Sequence, residues 1–117
     1  MRDKRSRRVA DLLREEIAVV LQRKVKDPRL MDVTITGVEM SSDLRYAKVF
    51  YCFSGNRKRG PDVAAGMEKA KGFIRNELGR RIRLKYLPEL RFCYDSSLDR
   101  AAEIELLLKK LKQDERI

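Results

Sequence analysis

Residues 33–53 constrain this chain more than any other stretch. Val33, Thr34, Ile35 and Thr36 alternate apolar and polar, the period-2 mark of a half-buried strand. The phase then changes, because Val38 and Met40 carry the opposite parity and Gly37 lies at the change. Successive strand residues point to opposite faces, so an unbroken strand would turn one half away from the core. A β-bulge at Gly37 lets both halves face it. Ser41-Ser42-Asp43 reads as a turn and Leu44 to Phe53 as a second strand, which makes an antiparallel hairpin. Ala47, Val49, Tyr51 and Phe53 would line one face, and Tyr46, Lys48, Phe50 and Cys52 the other.

Helical periods flank the hairpin. Val9, Leu12, Leu13, Ile17, Val20 and Leu21 predict a helix from about Ser6, as N-cap, to about Lys24, ended by Asp27-Pro28. After the polar loop Ser54 to Gly60, Pro61 suits the first turn of a helix that buries Val63, Met67 and Ala70. Phe73, Ile74, Leu78 and Ile82 continue the apolar stripe. Glycine costs roughly 1 kcal/mol inside a helix, so Gly72 suggests two helices meeting at a kink near Ala70-Lys71-Gly72. Pro88 closes this unit. Leu90, Phe92 and Tyr94 then alternate with Arg91 and Cys93 as a third strand. Ser96 or Ser97 caps a last helix with Leu98, Ala101, Ile104, Leu108 and Leu111 on one face, fraying from about Lys112. The expected architecture is α+β, one domain over residues 1–117 with its core in about 6–111. The order is α-β-β-α-α-β-α, with helices packed on one face of a three-stranded sheet.

Charge is concentrated on this framework. From Lys69 to Lys85 stand Lys69, Lys71, Arg75, Arg80, Arg81, Arg83 and Lys85 against Glu77 alone. Arg2, Lys4, Arg5, Arg7 and Arg8 face only Asp3 at the start, and these two stretches together account for the net charge of +10. A localised excess of this kind is the footprint of a polyanion-binding surface. On a helical wheel Gly72, Arg75, Asn76, Gly79, Arg80 and Arg83 share one face, opposite Ala70, Phe73, Ile74 and Leu78. Glycine admits a phosphate close to the backbone, and arginine adds bidentate, charge-assisted hydrogen bonds. Arg81 falls in the apolar arc, so either the helix loosens after Gly79 or Arg81 snorkels to its edge. Tyr46 and Phe50 beside Lys48 are either a base-stacking platform or ordinary strand aromatics.

Catalytic chemistry is hard to build from this composition. The chain has no histidine, which removes the commonest general base and the commonest zinc ligand. It carries no phosphate-binding loop of the G-x-x-x-x-G-K-[ST] type and no G-x-S-x-G elbow. Glu15-Glu16 and Glu103 with Glu105 read as helix surface. No run approaches a membrane span, and the N-terminus lacks the apolar segment of a secretory signal. Cys52 and Cys93, inside apolar runs, read as buried free thiols of a reducing cytosol.

Four stretches carry a family resemblance: Arg7-Arg8-Val9-Ala10 running to Lys26-Asp27-Pro28-Arg29-Leu30; Thr36-Gly37-Val38-Glu39-Met40-Ser41; Asp43-Leu44-Arg45-Tyr46-Ala47-Lys48-Val49; and Gly72-Phe73-Ile74-Arg75 through Pro88-Glu89-Leu90-Arg91-Phe92 to Tyr94-Asp95. In this order they resemble a type II KH domain, and more narrowly the bacterial ribosome-binding factor A family. KH domains clamp RNA with a Gly-x-x-Gly loop between paired helices. The family replaces that loop with an Ala-x-Gly kink, which Ala70-Lys71-Gly72 matches.

The resemblance implies a cytoplasmic, monomeric, non-enzymatic factor without cofactor or metal. It would bind the immature small ribosomal subunit and assist 16S rRNA maturation and processing, including in the cold, with a ribosome-associated GTPase for release. The expected RNA-binding residues are Lys69, Ala70, Lys71, Gly72, Arg75, Asn76, Arg80, Arg83 and Lys85, with Arg5, Arg7 and Arg8 as a second patch. The alternative is a KH-like protein-interaction adaptor whose basic face docks an acidic partner, or a general RNA-binding module.

Overall fold

The computed structural model describes residues 4–115. Its elements are α1 (Lys4–Arg23), β1 (Thr34–Met40), β2 (Tyr46–Cys52), α2 (Gly60–Arg81), β3 (Glu89–Tyr94) and α3 (Ser97–Glu115), with one-turn 3-10 helices at Pro28–Leu30 and Arg57–Arg59. β2 is the central strand, antiparallel to β1 and parallel to β3. A parallel neighbour requires a crossover, and α2 provides it. Ile35 and Tyr51 are partners, and so are Gly37 and Phe50, leaving Thr36 as the extra residue of the expected bulge. The bulge lets Ile35 and Met40, of opposite parity, both be buried. It also frees Thr36, whose Oγ1 donates to Asp95 Oδ2 at 2.7 Å.

The core is where the alternation put it. Ala47, Val49, Tyr51 and Leu90 of the sheet meet Leu13, Ile17 and Val20 of α1 and Val63, Met67, Ile74 and Leu78 of α2, all buried. Leu12, in the expected α1 stripe, is instead exposed at its margin. Ser6 does not cap α1; it lies inside the helix and is fully buried. β2 begins at Tyr46, two residues later than expected. Asp43 Oδ1 accepts from Ser41 Oγ and the Arg45 amide, and Leu44 adopts φ 62°, which prolongs the turn.

Two helical expectations are corrected. The pair of helices is one helix, α2, running without interruption through Ala70-Lys71-Gly72. Burial of Met67 before and Ile74 and Leu78 after Gly72 outweighs a propensity cost of about 1 kcal/mol. The last helix does not join the packed layer. Asp95 Oδ1, not a serine hydroxyl, accepts from the Ser97 amide at its start. Asp99 then accepts from the Tyr94 hydroxyl at 2.6 Å and from Arg57 at 2.7 Å. Beside and beyond this tether Leu98, Ile104, Leu106, Leu107, Leu108 and Leu111 are all more than half exposed, and the helix continues past Lys112 to Glu115.

Gly66 decides how closely α2 approaches the turn after α1. A Cβ there would lie 2.9 Å from Leu30 Cδ2 and 3.3 Å from Asp27 Oδ2, and Leu30 is itself buried. Gly66→Val is therefore expected to destabilise the fold by about 1–3 kcal/mol through overpacking. Gly72, where a Cβ would meet nothing within 4 Å, is the internal control. Gly72→Ala is expected to be neutral or to stabilise by up to about 1 kcal/mol. Urea midpoints of the two variants check both.

Candidate nucleic-acid interface

The outward side of α2 carries the expected stripe only in part. Lys69, Gly72, Asn76 and Arg80 are exposed, and Ala70 and Lys71 are half-buried. Arg80 stands 3.7 Å from Glu77, and Lys71 Nζ is 2.9 Å from Glu68 while lying over the Phe92 ring. Arg75 behaves differently. Its Nε donates to the Pro88 carbonyl at 3.1 Å and its second amino group to the Leu87 carbonyl at 3.0 Å, so it fastens the segment that leads into β3. Gly79 is occupied too, since a Cβ there would meet Leu87 Cδ1 at 3.0 Å.

The helix ends at Arg81, where Ile82 turns to extended backbone (φ −129°, ψ 148°). Arg83, expected on the helical face, is thus an exposed residue of the connection to β3, as is Lys85. Arg81 resolves its own misfit by pairing with Glu16 of α1. Phe73, placed by the wheel among the packing residues, points outward and is 45% exposed. The wheel assumed that residues at one angle share one environment; the neighbours of α2 differ along its length, and that assumption fails.

Tertiary folding joins what the sequence kept apart. Arg5 of α1, Arg83 and Lys85 line one cleft of about 510 Å³ together with Val9, Leu44 and Tyr86. Arg7 and Arg8 are exposed on the same helix. Arg45 lies 5.4 Å and Lys85 Nζ 5.5 Å from the centroid of the Tyr86 ring, which is itself 53% exposed. Tyr46 borders the adjoining hollow with Arg45, Arg75 and Tyr86. Lys48 covers Phe50 at 5.4 Å, so the aromatics of the open sheet face are not a bare platform. Charge counting missed Arg45 because it stands outside the dense basic runs, and Tyr86, next to Lys85, because it carries no charge; Arg45 was visible only within the motif Asp43-Leu44-Arg45-Tyr46.

Four aspartates have their carboxyl pKa lowered by their partners. The Arg29 side chain is the main reason that the Asp27 carboxyl is lowered, and the Arg59 hydrogen bonds hold Asp32 well below the usual carboxylate range. The Ser41 and Thr36 hydroxyls do the same for Asp43 and Asp95. A carboxyl whose pKa is lower in the folded state stabilises the fold above its unfolded pKa, and that contribution is lost as pH falls. With no histidine to titrate, stability is expected to stay flat from about pH 5 to 8 and to decline below about pH 4. Urea midpoints across that range check it.

Among the described residues no group of three or more histidine, cysteine, aspartate or glutamate side chains is placed to hold a metal. No described helix is long and apolar enough to cross a membrane. The cleft at Arg5, Arg83 and Lys85, with the exposed Tyr86 ring, combines positive charge and an aromatic face, which suits phosphates and unpaired bases. The family model for ribosome-binding factor A matches residues 5–108.

The chain belongs to the ribosome-binding factor A family.

Among its relatives, ribosome-binding factor A of Syntrophobacter fumaroxidans is 50% identical over 117 residues, covering 98% of this chain and 100% of that one. The Halothermothrix orenii member is 45% identical over 115 residues, covering 98% and 94%. The fold is that of the crystal structure of ribosome-binding factor A from Thermus thermophilus, with a TM-score of 0.68, 24% identity and coverage of 76% of this chain and 94% of that one. A homology model of the Thermus thermophilus factor, fitted into a cryo-EM map of its 30S complex, also matches, with a TM-score of 0.59, 22% identity and coverage of 74% and 91%.

Proposed function

We propose that this protein is a non-enzymatic assembly factor that binds the immature 30S subunit and assists maturation of 16S rRNA, including its 5′ end. Its need is greatest in the cold, when misfolded RNA escapes slowly. It acts in the cytoplasm as a monomer and leaves the subunit with the help of a ribosome-associated GTPase. Membership of the ribosome-binding factor A family over residues 5–108 is the observation that carries the reading. The convergence of Arg5, Arg83 and Lys85 on one cleft supports it physically, because phosphate contacts dominate binding to folded RNA. Lys69, Lys71, Gly72, Asn76 and Arg80 extend that surface along α2, and Arg7 and Arg8 extend it along α1.

Sucrose-gradient sedimentation of a cell lysate tests the proposal. The protein is expected to migrate with free small subunits at low salt and to be absent from translating ribosomes. Confinement to the top fractions at low salt would overturn it.

A further inference from the structure

One groove is left unused by the cleft at Arg5, Arg83 and Lys85. It lies between the turn after α1 and the middle of α2, opens widely to solvent with a volume of about 480 Å³, and is lined by Lys24, Val25, Lys26, Asp27, Pro28, Lys69 and Phe73 among others. Its second wall exists because Gly66 lets the Asp27–Leu30 turn approach α2. Asp27 is the acid in the lining, and it is already engaged: Arg29 donates to it from its backbone amide at 3.0 Å and from its guanidinium at 2.7 Å. No salt bridge among the described residues engages Lys24 or Lys26, and Lys69 makes none either, acting on Asp27 only through space. The groove therefore presents a half-exposed phenyl ring, the apolar side chains of Val25 and Pro28, and a rim of three exposed lysines.

We propose that this groove holds one unstacked nucleotide of single-stranded RNA, with its base against Phe73 and its phosphates beside Lys24, Lys26 and Lys69. A base has an apolar, polarisable face and an anionic tether, which matches the ring and the rim together. An acidic peptide would match only the rim, and a duplex keeps its base faces stacked out of reach. The proposal rests on the RNA-binding reading above and adds to it a preference for an unpaired residue.

The chain has no tryptophan, so Phe73→Trp gives a single indole reporter in the groove. Titration of the full-length variant with dodecaadenylate is expected to quench that fluorescence, whereas a 12-base-pair RNA duplex should not. Phe73→Ala is expected to weaken dodecaadenylate binding by about 5- to 150-fold, the range for losing one base–aromatic stack, while duplex binding and its salt dependence stay unchanged. A thermal melt shows that each variant is folded. Anisotropy showing tight dodecaadenylate binding without quenching, or an unaltered affinity of Phe73→Ala, would overturn the proposal. If the same variants still sediment with small subunits, only the groove is lost and the RNA-binding reading stands. If glutamates at Arg83 and Lys85 also leave subunit binding intact, both fall.

Discussion

Replacing Arg5, Arg83 and Lys85 together by glutamate is expected to weaken binding to free 30S subunits by roughly a hundredfold near physiological salt, taking up to about 1 kcal/mol for each exposed ion pair lost. The three side chains come from α1 and from the segment after α2, yet they border a single cleft. Counterion release makes log affinity fall linearly with log salt, with a slope set by the number of phosphates neutralised. Loss of three contacts should therefore reduce that slope by about 2–3. Binding isotherms on purified subunits at several salt concentrations give both quantities. All three residues are exposed, so melting temperature should change little. An unaltered slope would remove this end of the molecule from the interface.

Arg75→Ala is expected to act on the fold. Arg75 donates two hydrogen bonds, to the carbonyls of Leu87 and Pro88, and Pro88 is fully buried. Removing a charged donor from two part-buried carbonyls costs about 1.5–3 kcal/mol, read as a lowered urea midpoint. Lysine cannot supply the fork, so Arg75→Lys should recover little of the loss. Arg80 is 79% exposed with Glu77 3.7 Å away, so Arg80→Ala should leave stability within about 0.5 kcal/mol and lower subunit affinity. If Arg75→Ala kept full stability and lost binding, Arg75 would return to the interface.

These opposite expectations show where the sequence was readable. Alternation over residues 33–53 located the hairpin, and the parity switch at Gly37 located the bulge, because a period of two leaves no other way to bury Ile35 and Met40 together. The same logic failed for α3. Its apolar period was real, but a period reports only that residues share a face, not that anything covers it, and Ile104, Leu108 and Leu111 are exposed. Gly72 misled for a related reason. Propensity differences near 1 kcal/mol yield to the burial of several side chains on either side, and α2 stays continuous.

By itself, then, the sequence determined the α+β class, the strand faces, the phase of α1 and the two stretches that carry the positive charge. Those properties follow from local periodicity and composition. Only the tertiary structure decided which charges share a surface: it joined Arg5 to Arg83 and Lys85, withdrew Arg75 into the framework, paired Arg81 with Glu16 and turned Phe73 outward. The physical reason is that a side chain's availability depends on partners distant in the chain. The carbonyls of Leu87 and Pro88, the carboxylate of Glu16 and the turn held by Gly66 reach α2 only once the sheet has brought them there.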